Sequence, residues 1–343
     1  SNTVLYPGSS DAAGIRLRPQ EGNDSMITSK RGSAAVVDCT NRWVSLDPER
    51  GSMAAVVEAA RNISCVGAEP LAITNNLNFP SPESDIGYWQ LASSCEGLSK
   101  ACKYLETPVT GGNVSLYNET RSTNGLLQPI HPTPVVGMVG LINNLDHICG
   151  QGWIKPKDSI WLLGLPLETN DDFDSRITLS ASSYLEVFHG CLTGRPPEVD
   201  LNLEKLVQSF LRESIIKGYI SSAHDVSDGG LVIALAECSI QSDFGLNVQI
   251  PFSNARLDRL LFAEGGARVV LSIPVENEMK FMNFLKEFNI ANTSSLKITK
   301  LGKVISDRQF LITQMDEIVI NLPLSKLNDS FYNAIPRRIE AKT

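Results

Sequence analysis

The strongest constraint on this fold is a helical stripe that runs straight into a polar, glycine-led segment. From about Tyr88 to Leu105, apolar residues recur every three or four positions at Leu91, Cys95, Leu98, Cys102 and Leu105, the spacing of one helix face. Pro108-Val109 follows, and then Thr110-Gly111-Gly112-Asn113-Val114-Ser115-Leu116-Tyr117-Asn118-Glu119-Thr120. Such a stripe needs a core to cover it, so the polar cluster leaves a core as a strand or turn and is not a solvated tail. Two adjacent glycines let the backbone approach a ligand closely. The Asn, Ser, Glu and Thr side chains bring hard oxygens and hydroxyl donors, a mix suited to a phosphate and a hard cation. A purely conformational Gly-Gly turn would use the same residues.

Strand and helix patterns alternate on either side. Gly14-Ile15-Arg16-Leu17 and Ala34-Ala35-Val36-Val37-Asp38 read as short strands, and Gly51 to Cys65 as an Ala-rich helix closed by Gly67. Pro132-Thr133-Pro134 introduces the β-branched run Val135 to Leu141, which suits a buried strand. Gly150, Gly152, Lys155, Pro156 and Lys157 then break the pattern before a new strand begins at Ser159-Ile160-Trp161-Leu162-Leu163-Gly164. The expected domains are 1-150 and 151-343, and a chain of 343 residues has length enough for two cores. In the second domain a helix is expected from Leu203 to Lys217, with Asn202 as cap, Leu206, Phe210 and Leu211 inward and Gly218 at its end. Another is expected from Pro274 to Phe288, its apolar side made of Met279, Phe281, Leu285 and Phe288.

The second chemical signal is Asp225-Val226-Ser227-Asp228-Gly229-Gly230-Leu231, leading into the helical run Val232 to Glu237. A strand, a glycine-rich turn and a helix start in that order present backbone N–H groups and the positive end of the helix dipole to an anion. The carboxylates of Asp225 and Asp228 argue against bare phosphate; they suit a cation-bridged one, or a helix cap. Asp225, Asp228, Gly229 and Gly230 are thus an auxiliary phosphate-site candidate.

Composition narrows the class further. The net charge of −8, with both signs interspersed, offers no basic patch for nucleic acid, and no apolar run approaches the length of a membrane span. Seven cysteines without a Cys-x-x-Cys pair read as reduced core thiols, with Cys95 and Cys102 on one helix face. No signal peptide opens the chain, so the cytoplasm is the expected compartment. None of the four histidines stands at zinc-ligand spacing, and the Walker, dinucleotide and serine-hydrolase motifs are absent. His224 adjoins Asp225 but points to the opposite face of a strand, which favours a core or strand-end role.

Four stretches together resemble the C-terminal half of the phosphoribosylformylglycinamidine synthase large subunit. They are Ala54 to Phe79, Gly111 to Thr120, His131 to Gly140 and Ala223 to Leu231, and the resemblance runs from about Ser10 to Thr313. It implies an α+β fold of the aminoimidazole ribonucleotide synthetase superfamily, with a β-rich N-terminal domain followed by an α/β C-terminal domain. That family converts formylglycinamide ribonucleotide to its amidine in purine biosynthesis. It uses ATP and Mg2+ to activate the amide oxygen, which is displaced by ammonia drawn from glutamine.

The implied partners are the N-terminal half of the synthase, a glutaminase subunit and a small accessory subunit. By position, Gly112 and Asn75 would contact ATP, Asn113 a magnesium ion and Ser115 the ribonucleotide substrate. Asn75 stands where many relatives have Asp, and it keeps an acceptor oxygen without the charge. The family's catalytic histidines and acidic magnesium ligands belong to its first copy, so this chain alone is expected to be inactive and to carry no catalytic residue. Gly265-Gly266 stands where the first copy usually carries a substrate-gripping Ser-Gln pair.

Two further expectations follow from the resemblance. Gly112→Ala and Asn113→Ala should disturb ATP binding without disturbing the fold, and the isolated chain should form a homodimer through an uncovered apolar face. The alternatives are a selenophosphate synthetase- or thiamine-phosphate kinase-like relative, and a non-catalytic nucleotide-binding or scaffold module of the same superfamily.

Overall fold

The computed structural model describes residues 2–6, 8–18, 29–167 and 174–340. The first part of the chain contains strands β1 (Thr3–Leu5), β2 (Ala13–Arg16), β3 (Gly32–Asp38), β4 (Glu69–Asn78) and β5 (Val109–Ser115), a hairpin of β6 (Glu119–Arg121) and β7 (Leu127–Pro129), and β8 (Thr133–Ile142). Among these strands run helices α1 (Asn41–Leu46), α2 (Pro48–Cys65) and α3 (Asp85–Leu105). Six strands form one sheet in the order β1-β2-β3-β8-β4-β5. Helix α3 is the crossover between β4 and β5, which pair in parallel, and all other pairs in this sheet are antiparallel.

Alternation along β8 sends Pro134, Val136, Met138, Gly140 and Ile142 to the helix-covered face. Among the described residues no helix covers the other face. Ile15, Val37 and Val139 lie on it, about half exposed or more at 50%, 70% and 47%. Their register makes them neighbours, since Ile15 opposes Ser33, Ala35 opposes Val139 and Val37 opposes Gly137.

The second part folds as β9 (Ser159–Leu163), β10 (Ile177–Thr178), α4 (Ser183–His189), α5 (Leu201–Ile216), β11 (Ser222–Asp225), α6 (Gly230–Ser242), β12 (Gly245–Ile250), α7 (Leu257–Phe262), β13 (Glu264–Gly265) and β14 (Val269–Ile273). It continues with α8 (Glu278–Ala291), β15 (Ile298–Ile305), β16 (Gln309–Gln314), β17 (Glu317–Pro323), α9 (Leu324–Tyr332) and α10 (Ala334–Glu340). Seven strands make a sheet in the order β11-β14-β9-β15-β12-β16-β17, with only β12 and β16 parallel. Helices cover both of its faces. One core gathers Leu231, Leu235, Leu246 and Phe310, the other Phe210, Leu211, Phe281 and Phe288. Strands β9 and β14 are therefore buried throughout, which explains why all but one residue of each, Ser159 and Ser272, are apolar.

Helix α2 ties the two parts together. It packs on β3, β4 and β8 on one side and on α5 and β11 on another, so nearly all of it is buried. Its Ala-rich sequence permits close approach from several directions. The helix begins earlier than the apolar pattern does, at Pro48, because Asp47 accepts the N–H of Arg50 at 3.2 Å and Pro tolerates the first turn.

Three local expectations are corrected. Asp200, not Asn202, caps α5, its carboxylate accepting the N–H of Leu203 at 3.0 Å, because the helix opens at Leu201 and holds Asn202 in its first turn. The segment after Pro274 starts as a 3-10 turn, Val275–Asn277, and Met279 is 77% exposed where Phe284 fills the apolar side instead. Four cysteines are core thiols, but Cys39, Cys95 and Cys191 are exposed; on α3, Leu98, Ala101 and Cys102 cover the sheet and Cys95 turns toward its rim. Among the described residues no helix is long and apolar enough to cross a membrane.

Candidate functional site

Strand β5 carries the first polar cluster as the outermost strand of its sheet, and Val109 to Val114 are all exposed. Gly, Gly and Asn are poor strand formers, and local bonds made by the neighbouring threonines compensate. Thr110 Oγ1 donates to the carbonyl of Ile73 and Thr74 Oγ1 to that of Gly111, both at 3.1 Å. Between them the register shifts, so that Ile73 opposes Val109 and Thr74 opposes Gly111. The outer edge of β5 pairs with no other described strand.

Parallel register then divides the four expected ligand residues between two faces. Asn75 opposes Gly112, on the side of Ile73 and Leu77, toward α3. Asn75 there lines an open groove of about 450 Å3 with Cys95, Leu98, Cys102, Lys103 and Pro108. Asn113 opposes Asn76 and Ser115 opposes Asn78 on the helix-free face, beside the apolar patch of Ile15, Val37 and Val139. Asn113 Nδ2 donates to Asn76 Oδ1 at 3.0 Å; the residue is exposed, and its own Oδ1 accepts no hydrogen bond among the described residues. Ser115 Oγ donates to Asn118 Oδ1 at 3.2 Å.

Gly112 has a packing reason to be glycine. A Cβ there would collide with the Asn75 side chain and lie 2.8 Å from the Asn75 carbonyl oxygen, whereas one at Gly111 meets nothing within 4 Å. The expectation that Gly112→Ala spares the fold is therefore corrected, and Gly111 and Asn113 are the cleaner probes.

Sequence reasoning passed over Thr74 and Asn76, and took Asn118 only as one polar residue of the cluster. Thr74, Asn76 and Asn78 alternate along β4 and could have been read as a polar strand face. Asn118 organises the turn after β5, donating to the carbonyls of Ser115 at 2.8 Å and Phe79 at 3.1 Å, beside Tyr117 at φ 61°.

The second cluster lies in the interior, where the two parts of the molecule meet. Asp225, at the end of β11, is buried; its carboxylate takes the guanidinium of Arg61 and its N–H donates to Asp11 Oδ2 at 2.7 Å. Arg61 also holds buried Glu204, Nη1 to Oε1 at 2.5 Å. His224 is gripped by Asp11 Oδ1 at 2.6 Å and Glu237 Oε2 at 3.0 Å. Burial alone would lower the histidine's pKa, but these two carboxylates raise it to about 10. Desolvation pushes Asp38 up to about 7 and Glu58 well above the usual carboxylate range.

Beyond Asp225 the chain turns through Gly229 and Gly230, at φ 78° and 70°, into α6. Asp228 pairs with Arg42 Nη2 at 2.5 Å. The N–H of Gly229 donates to Glu264 Oε1 at 2.8 Å, as does the N–H of Ser183 at the same distance. The four auxiliary-site residues are thus adjacent, with Asp225 bound to Arg61 and Gly229 to a carboxylate of the chain itself. Arg42, Arg61 and Glu264 escaped sequence reasoning. Arg61 and Glu58, two charges inside an Ala/Val helix, were the readable signal for a buried network.

This pairing of an open mixed sheet with a two-sided one matches two successive family models. The AIR synthase related protein N-terminal domain fits residues 10–142, and the C-terminal domain of the same family fits residues 155–310. The chain belongs to the AIR synthase related family. It is 60% identical over 339 residues to the phosphoribosylformylglycinamidine synthase subunit PurL of Prochlorococcus marinus (strain MIT 9313), covering 99% of this chain and 43% of the relative. It therefore spans less than half the length of the curated relatives it matches. Thermotoga maritima PurL complexed with FGAR superposes with a TM-score of 0.69 at 16% identity, covering 96% of this chain and 47% of that one. The same protein complexed with ATP superposes at 0.66 and 17% identity, with 91% and 47% covered.

Proposed function

We propose that this chain is the second synthetase-type half of phosphoribosylformylglycinamidine synthase. Joined to the first half, it takes part in the ATP-dependent conversion of formylglycinamide ribonucleotide to its amidine with glutamine-derived ammonia. High identity to PurL over part of that subunit's length supports the reading. The observation that carries it is the placement of Gly111, Asn113 and Ser115 on an exposed edge strand beside an uncovered apolar sheet face. Polar groups so placed make half of a site, and the apolar face gives the missing half a surface to bind.

The residues fit the nucleotide and metal the family uses. Asn113 keeps a free, hard amide oxygen that would hold Mg2+, and the Gly111-Gly112 backbone lies open to a phosphate chain. One neutral oxygen does not make a magnesium site, so further ligands would come from phosphate and the other half. ATP-Mg, when bound, supplies the activation of the substrate's amide oxygen. The contribution of this chain is to position: Asn76 orients Asn113, and Asn118 fixes the turn that presents Ser115 to the ribonucleotide. The glutaminase and small accessory subunit would dock on the joined halves.

The test is ammonia- and ATP-dependent amidine formation by this chain with and without the separately expressed remainder of the synthase. Turnover is expected only from the mixture, and robust turnover by this chain alone would contradict the proposal.

A further inference from the structure

Helix α6 begins without a side-chain cap of its own, because Gly229 holds the N-cap position. The free backbone donors at a helix start call for an acceptor. Here it comes from 35 positions downstream: Glu264 Oε1 accepts the N–H groups of both Gly229 and Ser183 at 2.8 Å. Glu264 is 0% exposed. Its Oε2 has no hydrogen-bond partner among the described residues and lies 3.8 Å from Arg42 Nη2. Two convergent backbone N–H groups and a guanidinium, closed off from water, are the means by which proteins hold an oxyanion. Asp228 and Glu186 also face Arg42, at 2.5 and 3.4 Å, so the surroundings carry more negative than positive charge.

We propose that Glu264 is an internal stand-in ligand: its carboxylate occupies an anion seat made by Gly229 N–H, Ser183 N–H and Arg42. That seat takes a single monocarboxylate and, with Asp228 and Glu186 alongside, rejects phosphate. In this chain the Asp-Val-Ser-Asp-Gly-Gly segment is then a clasp filled by the protein itself. The N-terminal part contributes Arg42 to it, so the clasp also fastens α1 to the second sheet's helices. The inference rests on this geometry and stands whether or not the chain is half of a synthase.

Removing the carboxylate should open the seat to a small anion from solution. Thermal unfolding of Glu264→Ala would be followed with formate, acetate or inorganic phosphate against chloride of matched ionic strength. The variant should unfold several degrees below the parent. Formate should restore much of that loss saturably, acetate less, and phosphate no more than chloride, with the parent insensitive to formate. Equal formate response in parent and variant would overturn the proposal, as would saturable stabilisation of the parent by phosphate that disappears in Asp228→Ala.

Should Glu264→Ala fail to fold, Glu264→Gln carries the test through its backbone amide resonances. It still offers one oxygen to both N–H groups but no charge. The Gly229 and Ser183 amide protons should move upfield from their parent positions and lose their response to pH near 6, where burial has raised the glutamate's own titration. Unchanged resonances would refute it.

Discussion

The edge strand β5 and the segment from Asp225 to Gly230 draw on the same residue types, small, polar and glycine-rich, yet the fold treats them in opposite ways. On β5 most side chains stand in solvent, and Asn113 Oδ1 has no hydrogen-bond partner among the described residues. In the segment from Asp225 to Gly230, three groups that could greet a ligand already have a partner within the chain: Asp225 has Arg61, Asp228 has Arg42 and the Gly229 N–H has Glu264. A motif that could bind phosphate is therefore no evidence that it does. What separates the two cases is whether the surrounding elements bring a complementary charge to the same place.

The largest effect expected from breaking this contrast is at Arg61. Arg61→Ala leaves Asp225 and Glu204 buried without their counter-ion, a loss of about 3–5 kcal/mol by the usual cost of breaking a buried pair. Urea unfolding would measure it, and a loss below about 1 kcal/mol would mean that Arg61 does not hold the two buried carboxylates as a stabilising pair.

Next in size is a dependence on pH. His224 titrates near 6.5 when unfolded and about 10 when folded, so its contribution is complete below 6.5 and disappears as pH rises through 10. The unfolding temperature should fall from pH 7 to 10, and the fall should be smaller in His224→Gln. An equal slope in both proteins would remove the ion-paired histidine from the account.

A moderate effect is expected on association. Val37→Lys together with Val139→Lys places charge in the centre of the uncovered sheet face, 70% and 47% exposed at those positions. Concentration-dependent sedimentation of the parent should vanish in the double variant. A strictly monomeric parent would mean that this face does not seek a partner.

The smallest stability effects belong to β5. Asn113→Ala and Gly111→Ala should unfold within about a degree of the parent, as exposed changes usually do. Gly112→Ala should unfold measurably earlier, because its methyl meets Asn75. If Gly111→Ala and Gly112→Ala were indistinguishable, the packing reason given for Gly112 would fail.

Periodicity carried much of the fold into view. The stripes of α3 and α5 were legible, because each repeats at helical period, whereas the β-branched run of β8 was legible as a strand but not as one buried on a single face, with Val139 47% exposed on the other. Helix α2 was legible as a helix, but its burial on several sides was not, since a three-sided environment leaves no single polar face to read. The expectation of ligand contacts at Asn75, Gly112, Asn113 and Ser115 came from resemblance, whereas the division of these residues between two faces needed the register with β4. Arg61, Arg42 and Glu264 were out of reach for a similar reason. Their partners lie 164, 186 and 35 positions away: the packing of α2 and α1 on the second part of the chain brings Arg61 and Arg42 to theirs, and the folding of the second part itself brings Glu264 to Gly229.

The central claim is that β5 holds half of a nucleotide site. It is tested most directly by titrating ATP-Mg calorimetrically into this chain, into the remainder of the synthase, and into the two combined, each with Asn113 and with Asn113→Ala. Saturable binding sensitive to Asn113→Ala should occur only in the combination, weakened there roughly tenfold or more, as for the loss of one charge-assisted contact. Equally tight, Asn113-dependent binding by this chain alone would contradict the account.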